Sequence, residues 1–158
     1  MMRALSLCAL ALLATPALAE DSLSPETLAT FKKIEQAVAV VACQIGASDP
    51  DAADKSLTEA GFVRTEDEGS WNYAQGTLTI MMWTVPGFCM VEDSESGTEA
   101  MAANFLNYLG EPPQIGADSQ GCTTYLLANG VLATLSGPGN DPQCTSDTGA
   151  ALRFSLPN

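Results

Sequence analysis

Four cysteines, Cys43, Cys89, Cys122 and Cys144, follow an apolar leader, and together they limit the fold more than any other feature of the chain. The leader, "MMRALSLCALALLATPALA", has one base, Arg3, then an apolar run from Ala4 to Leu13, then Ala17-Leu18-Ala19. That is a secretory signal ending in the small-x-small pattern that signal peptidase cuts. The run is shorter than the roughly 20 residues a spanning helix needs, and no later segment supplies a longer one. The expectation is cleavage before Glu20, a periplasmic or secreted location, and no membrane anchor after cleavage. Cys8 lies inside the leader, without the Leu-small-small-Cys setting of a lipoprotein.

An even number of cysteines in an exported chain reads as two disulfides, with three connectivities open. Cys43–Cys89 and Cys122–Cys144 are expected, because each closes a moderate loop between elements that should be neighbours. Neither a CxxC redox pair nor zinc-site spacing is present. After residue 19, 139 of the 158 residues remain, enough for a single domain with a real core.

The charge narrows the partners. All nineteen acids follow the leader, against five bases (Lys32, Lys33, Lys55, Arg64 and Arg153), a net charge of −14. Such a surface repels nucleic acid and anionic lipid and favours solubility or a cationic partner. No histidine occurs anywhere. Ser-His and Cys-His nucleophilic chemistry and the usual zinc sites are thereby excluded.

Periodicity orders the chain as helix, helix, strands, helix, strands. Ser24-Pro25-Glu26 is a helix start, and Leu28, Phe31, Ile34, Val38, Val41 and Ile45 share one helical face, expected to be the buried one. Cys43 sits off that stripe, so it should tie the helix to something beside it rather than beneath it. Asp49-Pro50 opens a second helix that Gly61 ends. Its acids Asp49, Asp51 and Asp54 lack the EF-hand's glycine and final glutamate, and read as helix capping. "FVRTED", "WNYAQ", "TLTIMMWT" and "FCMVE" follow as an antiparallel meander. Ser96-x-x-Glu99 forms a capping box for a third helix carrying Met101, Phe105, Tyr108 and Leu109. Glu111-Pro112-Pro113 breaks the chain, and "CTTYLLA", "VLATLS" and "ALRFSL" are strands, the first two joined by an Asn129-Gly130 hairpin turn.

The expected fold is therefore α+β, with helices packed on one face of an antiparallel sheet. Two tandem α-β-β-β units, 20–93 and 94–158, would account for Gly61, Tyr73, Gly76-x-Leu78, Pro86-Gly87 and Cys89 being echoed by Gly110, Tyr125, Gly130-x-Leu132, Pro138-Gly139 and Cys144. Helix units each followed by a small sheet, with two bridges in an exported chain, are similar in layout to the secreted β-lactamase inhibitor proteins. The likeness implies architecture alone.

Chemistry is sparse. Met81, Met82, Met90 and Met101 are soft ligands suited to Cu(I) or Ag(I), with Trp83 to shield the metal. Adjacent strand residues point to opposite faces, however, so Met81 and Met82 cannot chelate together, and "TIMMWT" reads first as a central strand. Glu92, Asp93, Glu95 and Glu99 would form a hydrolase pair only if two of them flanked a cleft. No catalytic residue, cofactor site or metal site is assigned. What remains is a rigid, acidic, exported module that binds another protein. Trp71, Tyr73 and Trp83 are its candidate anchors, Trp71 and Tyr73 by sharing the outer face of the sheet.

Overall fold

The structure, a computed structural model, describes residues 24–139 and 143–157. The signal-peptide reading falls on residues 1–19, outside the described residues. In chain order the elements are α1 (Pro25–Gly46), α2 (Pro50–Glu59), β1 (Val63–Asp67), β2 (Ser70–Gln75), β3 (Leu78–Trp83), β4 (Phe88–Asp93), α3 (Thr98–Tyr108), β5 (Gln114–Ala117), β6 (Thr123–Leu126), β7 (Leu132–Ser136) and β8 (Ala150–Ser155). The eight strands form one sheet in the order β1-β2-β3-β4-β8-β7-β6-β5, with every neighbouring pair antiparallel. The fold is α+β, with three helices on one face of the sheet and disulfides Cys43–Cys89 and Cys122–Cys144.

Strand alternation fills the space under the helices. Tyr73, Ile80, Val91, Leu152 and Leu135 lie in one cross-strand row on that face, and Met82, Cys89, Phe154 and Ala133 in the next. All are buried. Phe105 of α3 completes the packing, edge-on to both Tyr125 and Phe154, with ring centroids 5.1 and 6.0 Å away.

The strand order reads the same inward from either edge, as two four-strand meanders joined through their last strands. Gly76 and Gly130 occupy matching turns, and Tyr73 and Tyr125 both point under the helices. Cys89 lies within β4, whereas Cys144 lies in the loop before β8, and Leu78 is turned under the helices while Leu132 is turned outward.

α1 is turned opposite to the expectation. Its buried face is Gln36, Ala39, Val40, Ala42, Cys43 and Gly46, while Leu28, Phe31, Ile34, Val41 and Ile45 are exposed. Size explains the choice. Small residues let the helix settle close to the sheet, and at Gly46 a Cβ would run into the Met82 thioether and lie 3.1 Å from the Ala53 Cβ. Cys43 thus lies beneath the helix, bridged to Cys89 of the central strand β4. α2 ends as expected: Gly61 takes φ of 90°, and the N–H of Phe62 donates to the carbonyl of Leu57.

Two local expectations change. The capping box does not form, because the Ser96 hydroxyl donates to Asp93 Oδ2 at 2.7 Å and α3 starts after Gly97 without a side-chain cap. Strand β5, unforeseen, follows the Pro112-Pro113 break as a short, fully exposed edge.

Candidate binding face

The sheet face away from the helices carries the side chains of alternate residues. From β1 and β2 these are Val63, Thr65, Ser70, Asn72 and Ala74. From β3 and β4 they are Thr79, Met81, Trp83, Phe88, Met90 and Glu92. Beyond β4 the face continues through Arg153, Ser155, Leu132, Thr134, Thr124 and Leu126.

The register assembles an apolar band. Trp83 meets Phe88 across the β3–β4 turn, ring centroids 5.3 Å apart and tilted by 38°. Phe88 lies opposite Ser155, Ser155 opposite Leu132, and Leu132 opposite Leu126. One row along, Met81 lies directly opposite Met90, and Met90 opposite Arg153. A groove of about 370 Å³ runs along the same face between Val63, Ala74, Thr79, Met81 and Met90. Trp83 is 46% exposed.

The band is bounded by fixed polar groups. Arg153 donates to the Ser136 hydroxyl and, at 2.7 Å, to the carbonyl of Gly139. Burial pulls its guanidinium down from the usual arginine range, against the opposing field of Glu92. Glu92 in turn accepts from the N–H of Gly139 at 3.3 Å, so the loop after β7 laps onto this face. A second cavity, about 360 Å³, opens between Phe88, Asp118, Thr134, Arg153 and Ser155.

Of the three expected anchors, only Trp83 is on this face. Trp71 and Tyr73 do share a face, but it is the one under the helices. Tyr73 is 2% exposed, and its hydroxyl donates to Asp54 Oδ1 at 2.7 Å. Burial and then that hydrogen bond raise its phenol well above the ordinary tyrosine range. Arg64 reaches both oxygens of Asp54 at 2.9 Å and lies 5.5 Å over the Trp71 ring, so Trp71 is held in place rather than offered. Phe88, Leu126, Leu132 and Arg153 were missed. The signal for Phe88 was present, since an inward Cys89 forces its neighbours outward.

The methionines divide between the two faces. Met81 and Met90 sit side by side, half-buried, on the outer face, whereas Met82 and Met101 are fully buried on the other. The acids also separate. Asp93 is buried, accepting from Gln36 Nε2, the Ser96 hydroxyl and the Glu95 N–H, while Glu92 points outward. Burial pushes the Asp93 carboxyl up, but the hydrogen bonds from Ser96 and Glu95 win and hold it below the usual range. Glu95 pairs with Lys32, and Glu99 lies in the first turn of α3. Asp49 caps α2, accepting from the Ala52 N–H at 3.1 Å, Asp51 lies in the same first turn, and Asp54 is used by Tyr73 and Arg64. Among the described residues no group of three His, Cys, Asp or Glu side chains converges as a metal site. No described helix is long and apolar enough to cross a membrane.

No family model, no curated protein and no solved structure matches this chain.

Proposed function

We propose that the chain is an exported, non-enzymatic module that binds another protein through the outer face of its sheet, with Trp83 and Phe88 as the anchors. The observation that carries the reading is the row Trp83–Phe88–Ser155–Leu132–Leu126, apolar but for Ser155 and flanked by Met81 and Met90, on a face that no described helix covers. Contiguous apolar surface rimmed by polar groups marks interaction sites, and paired aromatics supply contact area at low entropic cost. The acidic excess of the chain favours a partner that is cationic around an apolar centre. Two disulfides suit an oxidising compartment, consistent with the leader as a secretory signal and with a periplasmic or secreted location.

The test is photo-crosslinking in the producing cells from position 83, with position 55 on the helical side as control. The expected result is one protein captured from position 83 only, whose affinity for the purified module falls about tenfold or more on Trp83→Ala or Phe88→Ala. Equal affinity in both variants sinks the proposal.

A second reading rests on the Met81–Met90 pair, two thioethers in register on one face. It predicts that Ag(I) binds the purified protein stoichiometrically and that Met90→Leu abolishes binding. A small hydrolase built on carboxylates has less support, because Asp93 is buried and fixed as an anion while its neighbour Glu92 points to the opposite face.

A further inference from the structure

The apolar stripe that the sequence assigns to the core instead looks away from the sheet. Phe31 is 50% and Ile34 54% exposed, with Leu28, Val41 and Ile45 also open. α1 therefore has two apolar faces, and one is already occupied by the sheet and the Cys43–Cys89 bridge. Single exposed aliphatics are ordinary, but five on one side of a helix are not, and only Val38 between them is half-buried against the molecule's own core. Its N-terminal part, Pro25 to Ile34, is almost entirely exposed. So short a stretch of helix is marginal in water without packing.

The spacing says what kind of surface this is. Phe31, Ile34, Val38, Val41 and Ile45 follow one another by three, four, three and four residues. Phe31, Val38 and Ile45 take the a positions of a heptad and Ile34 and Val41 the d positions, the seam that two helices bury against each other. At 22 residues α1 is about 33 Å long, room for three heptads.

Charge selects the occupant. α1 carries Glu26, Lys32, Lys33 and Glu35, which sum to zero, and no charge from Gln36 to Gly46. Elsewhere acids dominate. This helix is where two copies of an acidic chain can approach with the least repulsion. We propose that α1 is the interface of a homodimer, the two helices packing antiparallel with the crossing between Ile34 and Val38. Phe31 then packs on Val41 of the second copy and Ile34 on Val38, so each a residue meets a d residue and each layer pairs a bulkier residue with a smaller one. Lys32 and Lys33 fall at the b and c positions, off the seam, and Lys32 stays paired with Glu95 of its own copy, so the seam itself is uncharged.

Sedimentation velocity on residues 20–158, from low-micromolar to near-millimolar concentration, tests this. The expected result is a concentration-dependent dimer whose dissociation constant rises about tenfold or more in Phe31→Asp and in Val41→Asp, with an unchanged circular dichroism spectrum. Trp83→Ala should leave the dimer intact, which separates this interface from the sheet face. A photo-crosslinker at position 31 should report the peptide containing Val41. A monomer at every concentration overturns the proposal, as does a dimer indifferent to Phe31→Asp, or a crosslink from position 31 to position 31. A monomer that floats with phosphatidylcholine–phosphatidylglycerol vesicles, and stops floating in Phe31→Asp, also overturns it and assigns the stripe to lipid.

Discussion

The hydroxyl of Tyr73 donates to Asp54 Oδ1 at 2.7 Å, tying the second strand to α2, while Arg64 neutralises the same carboxylate from above. A phenol in that position cannot ionise without facing a carboxylate, and it is buried as well. Its pKa is raised in the folded state, so its contribution to stability is fully present below the unfolded value of about 10 and fades as pH rises past it. Chemical denaturation between neutral pH and pH 11 should show this loss. In Tyr73→Phe the alkaline slope should flatten, at a cost of about 1 kcal/mol at neutral pH, because Asp54 keeps Arg64.

Asp93 gives the opposite dependence. Its folded pKa is depressed, so its stabilisation is present above the unfolded value of about 3.9 and is lost as pH falls below it. Asp93→Asn should weaken the acid-side slope and cost about 1–3 kcal/mol at pH 7, since the Gln36, Ser96 and Glu95 donors were placed for an anion. Gln36→Leu should cost a similar amount, because it also strands Asn104 Nδ2, now bonded to Gln36 Oε1 at 2.8 Å. Urea titrations at pH 3, 5 and 7 would measure both effects.

The two bridges are unequal. Cys43–Cys89 spans 46 residues and Cys122–Cys144 spans 22, so chain entropy assigns them roughly 4 and 3 kcal/mol. The first also joins two fully buried residues, and the second ends in a partly exposed loop. The Cys43→Ala/Cys89→Ala variant should therefore lower the thermal midpoint more than Cys122→Ala/Cys144→Ala. Calorimetry of the two double variants would rank them.

Peroxide should distinguish the methionines. Met81 and Met90 are half-buried on the outer face, whereas Met82 and Met101 are sealed under the helices. Peptide mass mapping should find sulfoxide at Met81 and Met90 first, with the fold retained. Oxidation at all four positions at equal rates would contradict the facing assigned here.

Strand parity and turn chemistry were legible in the sequence. Pro86-Gly87, Gln75-Gly76 and Asn129-Gly130 marked turns, and the four cysteines found their partners. Orientation was less so. A stripe of Leu, Phe, Ile and Val marks one apolar face of α1, yet packing buries Ala39, Ala42, Cys43 and Gly46, because closeness to Met82 and Ala53 requires small residues. Hydrophobicity alone does not rank two apolar faces of one helix. Trp71 and Tyr73 failed as anchors for a related reason: parity says which residues share a face, not which face the helices take. An inward Cys89 would have settled it, given its register opposite Met82 and hence Met82 opposite Trp71. The exposed partner of Trp83 was hidden in Phe88, five residues on and across a turn.

The last strand in sequence, β8, occupies the middle of the sheet, between β4 and β7. Until Ser155 has been delivered, each half can form only its own meander, and both keep a bare edge where the seam will close. Neither bridge crosses that seam: one lies within residues 43–89 and the other within 122–144. Oxidation can thus run to completion in each half before the halves meet. The closing step, in which β8 joins β4 to β7, would need neither an oxidant nor a second search for partners among the thiols.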